Sequence, residues 1–285
     1  MAAAGTFGHG DEVAGVCDPR GLGAVTVKSL AAFAWPGNPA PRVCPTSGGG
    51  MLNSVGLAGP GVERWIIEDL PALKDRGARI IVSVWGRSIE EFAAAAEPLG
   101  RVAGDLTAVE VNVSCPNIED RSRMFAHAPA MTGAAIRAVR NALESGGGDA
   151  LPVFAKLSPN TSELVEVAGA ALEAGAAGLT LVNTLLGLAI DAERRSPALG
   201  AGGGGLSGPP MKAVALRAVW EVARAHPGTA IIGTGGVGSG LDAVEMLLAG
   251  AVRGGGGDCD LCRATGRTPG GRRAEGVVRT TGSSA

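Results

Sequence analysis

Short apolar runs alternate with stretches of helical periodicity along most of this chain. The runs are Ala24–Val27, Ile80–Val84, Ala108–Val113, Val153–Leu157, Gly178–Val182 and Ala230–Gly233. Each is almost uninterrupted by polar residues, the mark of a strand covered on both faces. Between them the period changes. Ser88-Ile-Glu-Glu91 places an acid three residues after a serine, which caps and starts a helix through Phe92–Ala96. Thr132–Leu143, Glu163–Ala174, Met211–Ala225 and Ser239–Leu248 complete the helical set. Strand–helix alternation predicts a parallel sheet flanked by helices. The leading architecture is a (β/α)8 barrel, and a doubly wound open sheet is the alternative.

No linker divides the chain up to Ala251, so residues 1–251 are expected to form one barrel domain. Gly200–Gly205 reads as a mobile glycine-rich loop. From Val252 the periodicity stops. Residues 252–285 are rich in glycine, arginine and threonine, and such a tail is expected to be disordered because it buries too little surface to offset its ordering entropy.

Composition narrows the class. The chain has 285 residues, 46% apolar and 18% charged, with a formal net charge of -2. That balance fits a soluble globular protein with no built-in attraction to nucleic acid or anionic membrane. No apolar run approaches the roughly 18 residues of a membrane span, and the N-terminus lacks the pattern of a signal peptide. The cysteines, Cys17, Cys44, Cys115, Cys259 and Cys262, are odd in number and scattered. They suggest a reducing cytoplasm rather than a disulfide framework.

Candidate chemistry gathers just past the strands. Asn112-Val-Ser-Cys-Pro-Asn117 closes the run Ala108–Val113. Proline ends the strand there, so Cys115 starts a loop, and a thiol between two amides is a poor core filler. A buried structural cysteine is the plainer alternative. The chain has four lysines, and two of them, Lys28 and Lys156, stand at or near strand ends. A buried lysine is costly unless it meets an anion; otherwise both reach out to solvent. Asn183-Thr184 repeats the strand-then-amide pattern, and Asn53 lies in a loop of its own. Each amide alone suits a turn; together they suit a planar ligand rich in donors and acceptors. Ile232-Gly-Thr-Gly-Gly-Val237 could bring backbone N–H groups to a phosphate. Cys259-Asp-Leu-Cys262 has no second pair and no nearby histidine, and His9, His127 and His226 show no ligand spacing. No metal site is expected, and the histidines read as surface or loop residues.

Taken in order, Gly5-Thr-Phe-Gly8, Asn53-Ser-Val-Gly-Leu57, the cysteine hexapeptide, Lys156-Leu157, Asn183-Thr184 and Gly235-Gly236 resemble the dihydroorotate dehydrogenases from about Ala2 to Ala251. The resemblance implies an FMN-dependent (β/α)8 barrel that oxidises (S)-dihydroorotate to orotate in pyrimidine biosynthesis. A cysteine in the hexapeptide resembles the cytoplasmic class 1. Gly8–Val13, Asn183–Ile190 and Leu206–Pro210 resemble class 1B, which implies a heterotetramer built on a homodimer. Its partner subunit carries FAD and a [2Fe–2S] cluster and passes electrons to NAD. By the same resemblance Cys115 is the base that takes the C5 proton while C6 gives hydride to flavin N5. Lys28, Asn53, Ser54, Val55, Gly56, Leu57, Asn112, Asn183 and Thr184 would hold the substrate. Ala4, Lys28, Ser29, Asn112, Val182, Gly208, Gly235 and Gly236 would contact the flavin, and Lys156 would neutralise charge near N1 of its reduced form.

The chain departs from that family in three places. Ala4 stands where serine is common. Met1–Ala4 resembles only the end of the first barrel strand. At Val252–Asp258, where an eighth strand and a phosphate-binding Gly-Thr pair are expected, four glycines intervene. One back-translation of this stretch, shifted by one base, restores the strand and puts Gly-Thr where Gly257 and Asp258 stand, which suggests a frameshift; a genuinely divergent tail is the alternative. The barrel is therefore expected to be incomplete at strands 1 and 8. A dihydropyrimidine dehydrogenase-like flavoenzyme and a non-catalytic fragment are the competing functions.

Overall fold

The structure is a computed structural model that describes residues 1–114, 124–148 and 151–255. Seven parallel strands run side by side in chain order: β1 (Val25–Thr26), β2 (Ile80–Val84), β3 (Ala108–Asn112), β4 (Val153–Leu157), β5 (Gly178–Leu181), β6 (Ile231–Thr234) and β7 (Arg253–Gly255). Ala2 adds an eighth position. It bridges Val25 in parallel on the free side of β1, through Ala2 N–H to Ala24 O at 2.9 Å and Thr26 N–H to Ala2 O at 3.1 Å. Sequential parallel neighbours on both sides of every internal strand are the topology of a (β/α)8 barrel rather than of a doubly wound sheet.

The apolar runs became strands because their outward residues meet a ring of helices. Ile89–Gly100, Pro129–Ser145, Leu164–Glu173 and Lys212–Ala225 pack each on the next, outside the sheet. Phe92, Leu99, Ile136, Val139 and Leu143 are fully or almost fully buried in the layer between helices and strands. Gly100 and Gly146 let two of these helices approach closely. A Cβ on Gly100 would stand 2.6 Å from the Gly146 backbone. Two short helices, Val62–Glu68 and Leu70–Asp75, precede β2 and were not evident in the periodicity, being little more than a turn or two each.

Two expectations are corrected. The tail does not begin at Val252 as an unpaired segment: Arg253–Gly255 pairs with β6, with Ile232 opposite Arg253 and Thr234 opposite Gly255, and gives a short strand 8 in keeping with a barrel incomplete there. The proposed tail therefore begins with three residues in the sheet, because backbone pairing needs no apolar side chain. Residues 256–285, with Cys259 and Cys262, lie outside the described residues. Among the described residues no pairing joins Ala2 to β7, so the sheet has two short edges and no closing seam.

The second correction concerns Gly200–Gly205. Gly204–Ser207 is an inner strand of a four-stranded antiparallel sheet, in the order Val43–Pro45, Met51–Asn53, Gly204–Ser207, Leu185–Gly187. Its glycines serve close approach rather than mobility. A Cβ on Gly204 would lie 2.5 Å from Asn53 O, and one on Gly205 would lie 2.1 Å from Thr184 Oγ1. This sheet is built from the segments that leave β1 and β5 at their C-terminal ends.

Candidate active site

The C-terminal ends of the barrel strands bring most of the candidate residues to one place. β3 and β4 stand in register, with Asn112 opposite Lys156, and β4 and β5 place Lys156 opposite Thr180. From Asn112 a chain of hydrogen bonds crosses the barrel. Asn183 Nδ2 donates to Asn112 Oδ1 at 3.2 Å, and Asn112 Nδ2 donates to Ser29 Oγ at 3.0 Å. Ser29 Oγ then pairs with Ser83 Oγ at 2.9 Å. Asn112, Ser29 and Ser83 are buried, so each polar group needs this partner to avoid an unmet desolvation cost. Two of the amides that looked like turn formers, Asn112 and Asn183, thus belong to one network fixed by tertiary contact.

The chain leaving β3 is anchored at Ser114, its second residue. Ser114 Oγ donates to Lys156 O at 2.9 Å, and Ser114 N–H donates to Asn112 Oδ1 at 3.3 Å. Cys115, Pro116 and Asn117, on which the base assignment falls, lie outside the described residues.

Lys28 leaves β1 with its backbone N–H bonded to Gly8 O at 2.9 Å. Its ammonium crosses above Gly5, where a Cβ would stand 3.2 Å from Lys28 Cδ and 3.4 Å from Nζ. Gly5 at φ +89° therefore admits both the turn and the lysine. His9, expected to be a surface or loop residue, lies in a loop and is half-buried there, with no hydrogen bond to Nε2 among the described residues. Burial holds its imidazole below the ordinary histidine range; Lys28 adds to that and Glu12 opposes it.

Asn53 and Thr184 meet through Gly205. Asn53 Nδ2 donates to Gly205 O at 3.3 Å, and Thr184 packs on the same glycine. Ser54 is held by Asn38 Nδ2 at 2.9 Å, and Val55 O accepts from Asn38 N–H at 3.1 Å. Gly56 and Leu57 complete this turn at φ +70° and +61°. Val182, after a cis Leu181–Val182 peptide, is tied to Thr234 in both directions: its N–H donates to Thr234 O at 3.1 Å and its carbonyl accepts from Thr234 Oγ1 at 2.7 Å.

Gly235 and Gly236 follow Thr234 at positive φ and lie against the start of Lys212–Ala225. A Cβ on Gly236 would be 2.6 Å from Lys212 Cβ. Gly208 similarly packs on Gly49 and Gly50. The helix after the pair, Gly240–Leu248, is capped by Ser239 Oγ, which accepts from Asp242 N–H at 3.2 Å. The Asp242 carboxylate accepts from Gly238 N–H at 3.1 Å, and Lys212 beside it holds its pKa down to about 2. The carboxylate thus answers this helix N-terminus, where the dipole favours negative charge.

Sequence reasoning passed over the floor of the site. Ala4 and Lys156 line one small cavity inside the barrel together with Thr26, Glu110, Thr180 and Thr234. Glu110 is 3% exposed, and its Oε1 stands 3.7 Å from Lys156 Nζ. The signal was available: a carboxylate in the middle of the apolar run Ala108–Val113 is costly without a cation.

Comparison with known proteins places the chain in a family. The family model for dihydroorotate dehydrogenase matches residues 1–258. The chain belongs to the dihydroorotate dehydrogenase family. It is therefore an oxidoreductase, and the family match extends seven residues beyond Ala251 into the stretch that looked foreign. The dihydroorotate dehydrogenase B (NAD(+)) catalytic subunit of Alkaliphilus metalliredigens is 45% identical over 251 residues, covering 88% of this chain and 80% of that protein. The subunit of the same name from Desulforudis audaxviator is 45% identical over 251 residues, covering 88% and 79%. That of Geobacter sulfurreducens is 41% identical over 252 residues, covering 88% and 80%. Among the described residues no helix is long and apolar enough to cross a membrane.

Proposed function

We propose that this chain is a class 1B dihydroorotate dehydrogenase catalytic subunit, which oxidises (S)-dihydroorotate to orotate at an FMN held over the barrel mouth. The hydrogen-bonded series Asn183–Asn112–Ser29–Ser83 beside buried Lys156, in a chain of this family, carries the reading. The residues present fit the cofactor. Buried amides and hydroxyls suit the donor–acceptor edge of a flavin, and a buried lysine suits a site where negative charge develops. When bound, FMN supplies the two-electron redox step.

The protein's own groups do the rest. Lys28, Asn112, Asn183 and Thr184, with the turn from Asn53 to Leu57, hold the ring and carboxylate of the substrate. Val182 and the glycines at 208, 235 and 236 lie where backbone can approach the cofactor. Ala4 offers no side-chain hydrogen bond at its position, so one contact common in the family is absent. Cys115 takes the C5 proton. Ser114, the residue before it, is tied to Asn112, which holds the ring, and to the backbone carbonyl of Lys156. A thiolate can serve if nearby cations lower its pKa, and Lys28 and Lys156 are the candidate cations.

Electrons leave through a partner subunit carrying FAD and a [2Fe–2S] cluster, with NAD as acceptor. The names of the relatives, B (NAD(+)) catalytic subunits, support this reading. Thermal unfolding with FMN, then with FMN and orotate, tests the site. Each ligand should raise the midpoint, and a ligand at a hundred times its Kd adds about 2.7 kcal/mol. An FMN-loaded chain whose midpoint is unmoved by saturating orotate would contradict the assignment.

A further inference from the structure

Glu110 has no part in the chemistry above, yet it is a carboxylate buried inside the barrel, which is costly without a cation. Its side chain is 4% exposed, faces the Lys156 ammonium at 3.7 Å, and leaves Oε1 without a hydrogen-bond partner among the described residues. The register explains the geometry. Glu110 lies opposite Phe154 and Asn112 opposite Lys156, so the carboxylate stands one side-chain layer beneath the amide network. Lys156 is thus bracketed, with the carboxylate below it and the substrate-holding amides at its own level. The other lining groups that could answer a carboxylate, Thr26, Thr180 and Thr234, are neutral. A separation of 3.7 Å is that of an ion pair rather than a hydrogen bond, so Glu110 acts on Lys156 by charge without taking up its donors.

We propose that Glu110 is a positioning residue for Lys156: it keeps the ammonium centred in the lumen and offsets part of its positive field on the flavin. The inference rests on the FMN reading given above. It has a consequence that simple structural support lacks. Removing the carboxylate leaves Lys156 uncompensated and favours the flavin form with more negative charge. Removing the ammonium does the reverse. Glu110→Gln should therefore raise the midpoint potential of bound FMN and Lys156→Gln should lower it, each by about tenfold in the reduction equilibrium, ~30 mV for a two-electron couple. Glu110→Asp, which keeps the charge, should stay near the parent.

The pair is also measurable without cofactor. In the apo chain a urea double-mutant cycle over Glu110→Gln, Lys156→Gln and the double variant should give a coupling of about tenfold in the folding constant. Shifts of opposite sign with a favourable coupling support the proposal. Potentials that move in the same direction, or a Glu110→Gln potential equal to the parent's, overturn it while leaving the FMN reading intact. Absence of coupling in the apo chain overturns it as well. A parent chain that takes up no FMN overturns the reading of the site, and this proposal with it.

Discussion

Burial sets the protonation behaviour of His9. Its pKa lies below the ordinary 6.5 because the folded environment disfavours the imidazolium, with Lys28 nearby and Glu12 only partly compensating. The unfolded chain therefore binds the proton more readily, and stability is lost as pH falls through about 6.5, levelling off below the folded value. His9→Asn should flatten that part of a stability-against-pH curve, measured by urea unfolding; an unchanged slope would contradict the burial argument. At this scale the sequence was uneven evidence. Asn112, Lys156 and Asn183 were legible because each polar residue closes or interrupts an apolar run. Glu110 sits in such a run too, and the apolar pattern around it hid a charge that only the facing strand explains. Gly235 and Gly236 were read as glycines that approach a cofactor, and close packing on Met211, Ala215 and Lys212 is a second demand on them that the sequence did not show.

Local signals located whole elements well. The runs Ile80–Val84 and Val153–Leu157 are strands to the residue, and Ser88 starts the helix Ile89–Gly100 by accepting from Glu91 N–H at 3.3 Å. The Glu91 carboxylate turns back to Arg87 rather than to the cap residue, bonding its backbone N–H at 2.7 Å, and the Arg87 guanidinium holds the Glu91 pKa down. Ser88→Ala should lower stability by about 1 kcal/mol, read from the urea midpoint, without changing flavin uptake. A loss of flavin with unchanged stability would contradict a purely capping role. The small antiparallel sheet over the barrel mouth escaped the sequence. Its strands are three or four residues long, and glycine in Gly204–Ser207 is selected by the Asn53 backbone and the Thr184 side chain, a long-range cause with no local pattern.

At the scale of the whole molecule, one flank of the barrel is uncovered among the described residues. Leu241, Val244, Leu247 and Leu248 are 69%, 38%, 47% and 77% exposed, and Trp220 beside them is 49% exposed. Leu248 and Trp220 line a groove of about 470 Å³ between the last two helices. In an eightfold barrel the helix after the last strand packs beside this one. An open apolar face next to two short sheet edges is a site of association. The chain should therefore be polydisperse by light scattering, and Leu241→Glu with Leu248→Glu should shift it toward a single small species; a parent already of uniform small mass would contradict this. The central claim, that this chain oxidises dihydroorotate through bound flavin, is tested most directly by mixing the FMN-loaded protein with dihydroorotate under anaerobic conditions and following the flavin absorbance. Bleaching in the parent, slowed about 10²–10⁴-fold in Cys115→Ala, is the predicted result. A bound flavin that stays fully oxidised in excess dihydroorotate would contradict the account.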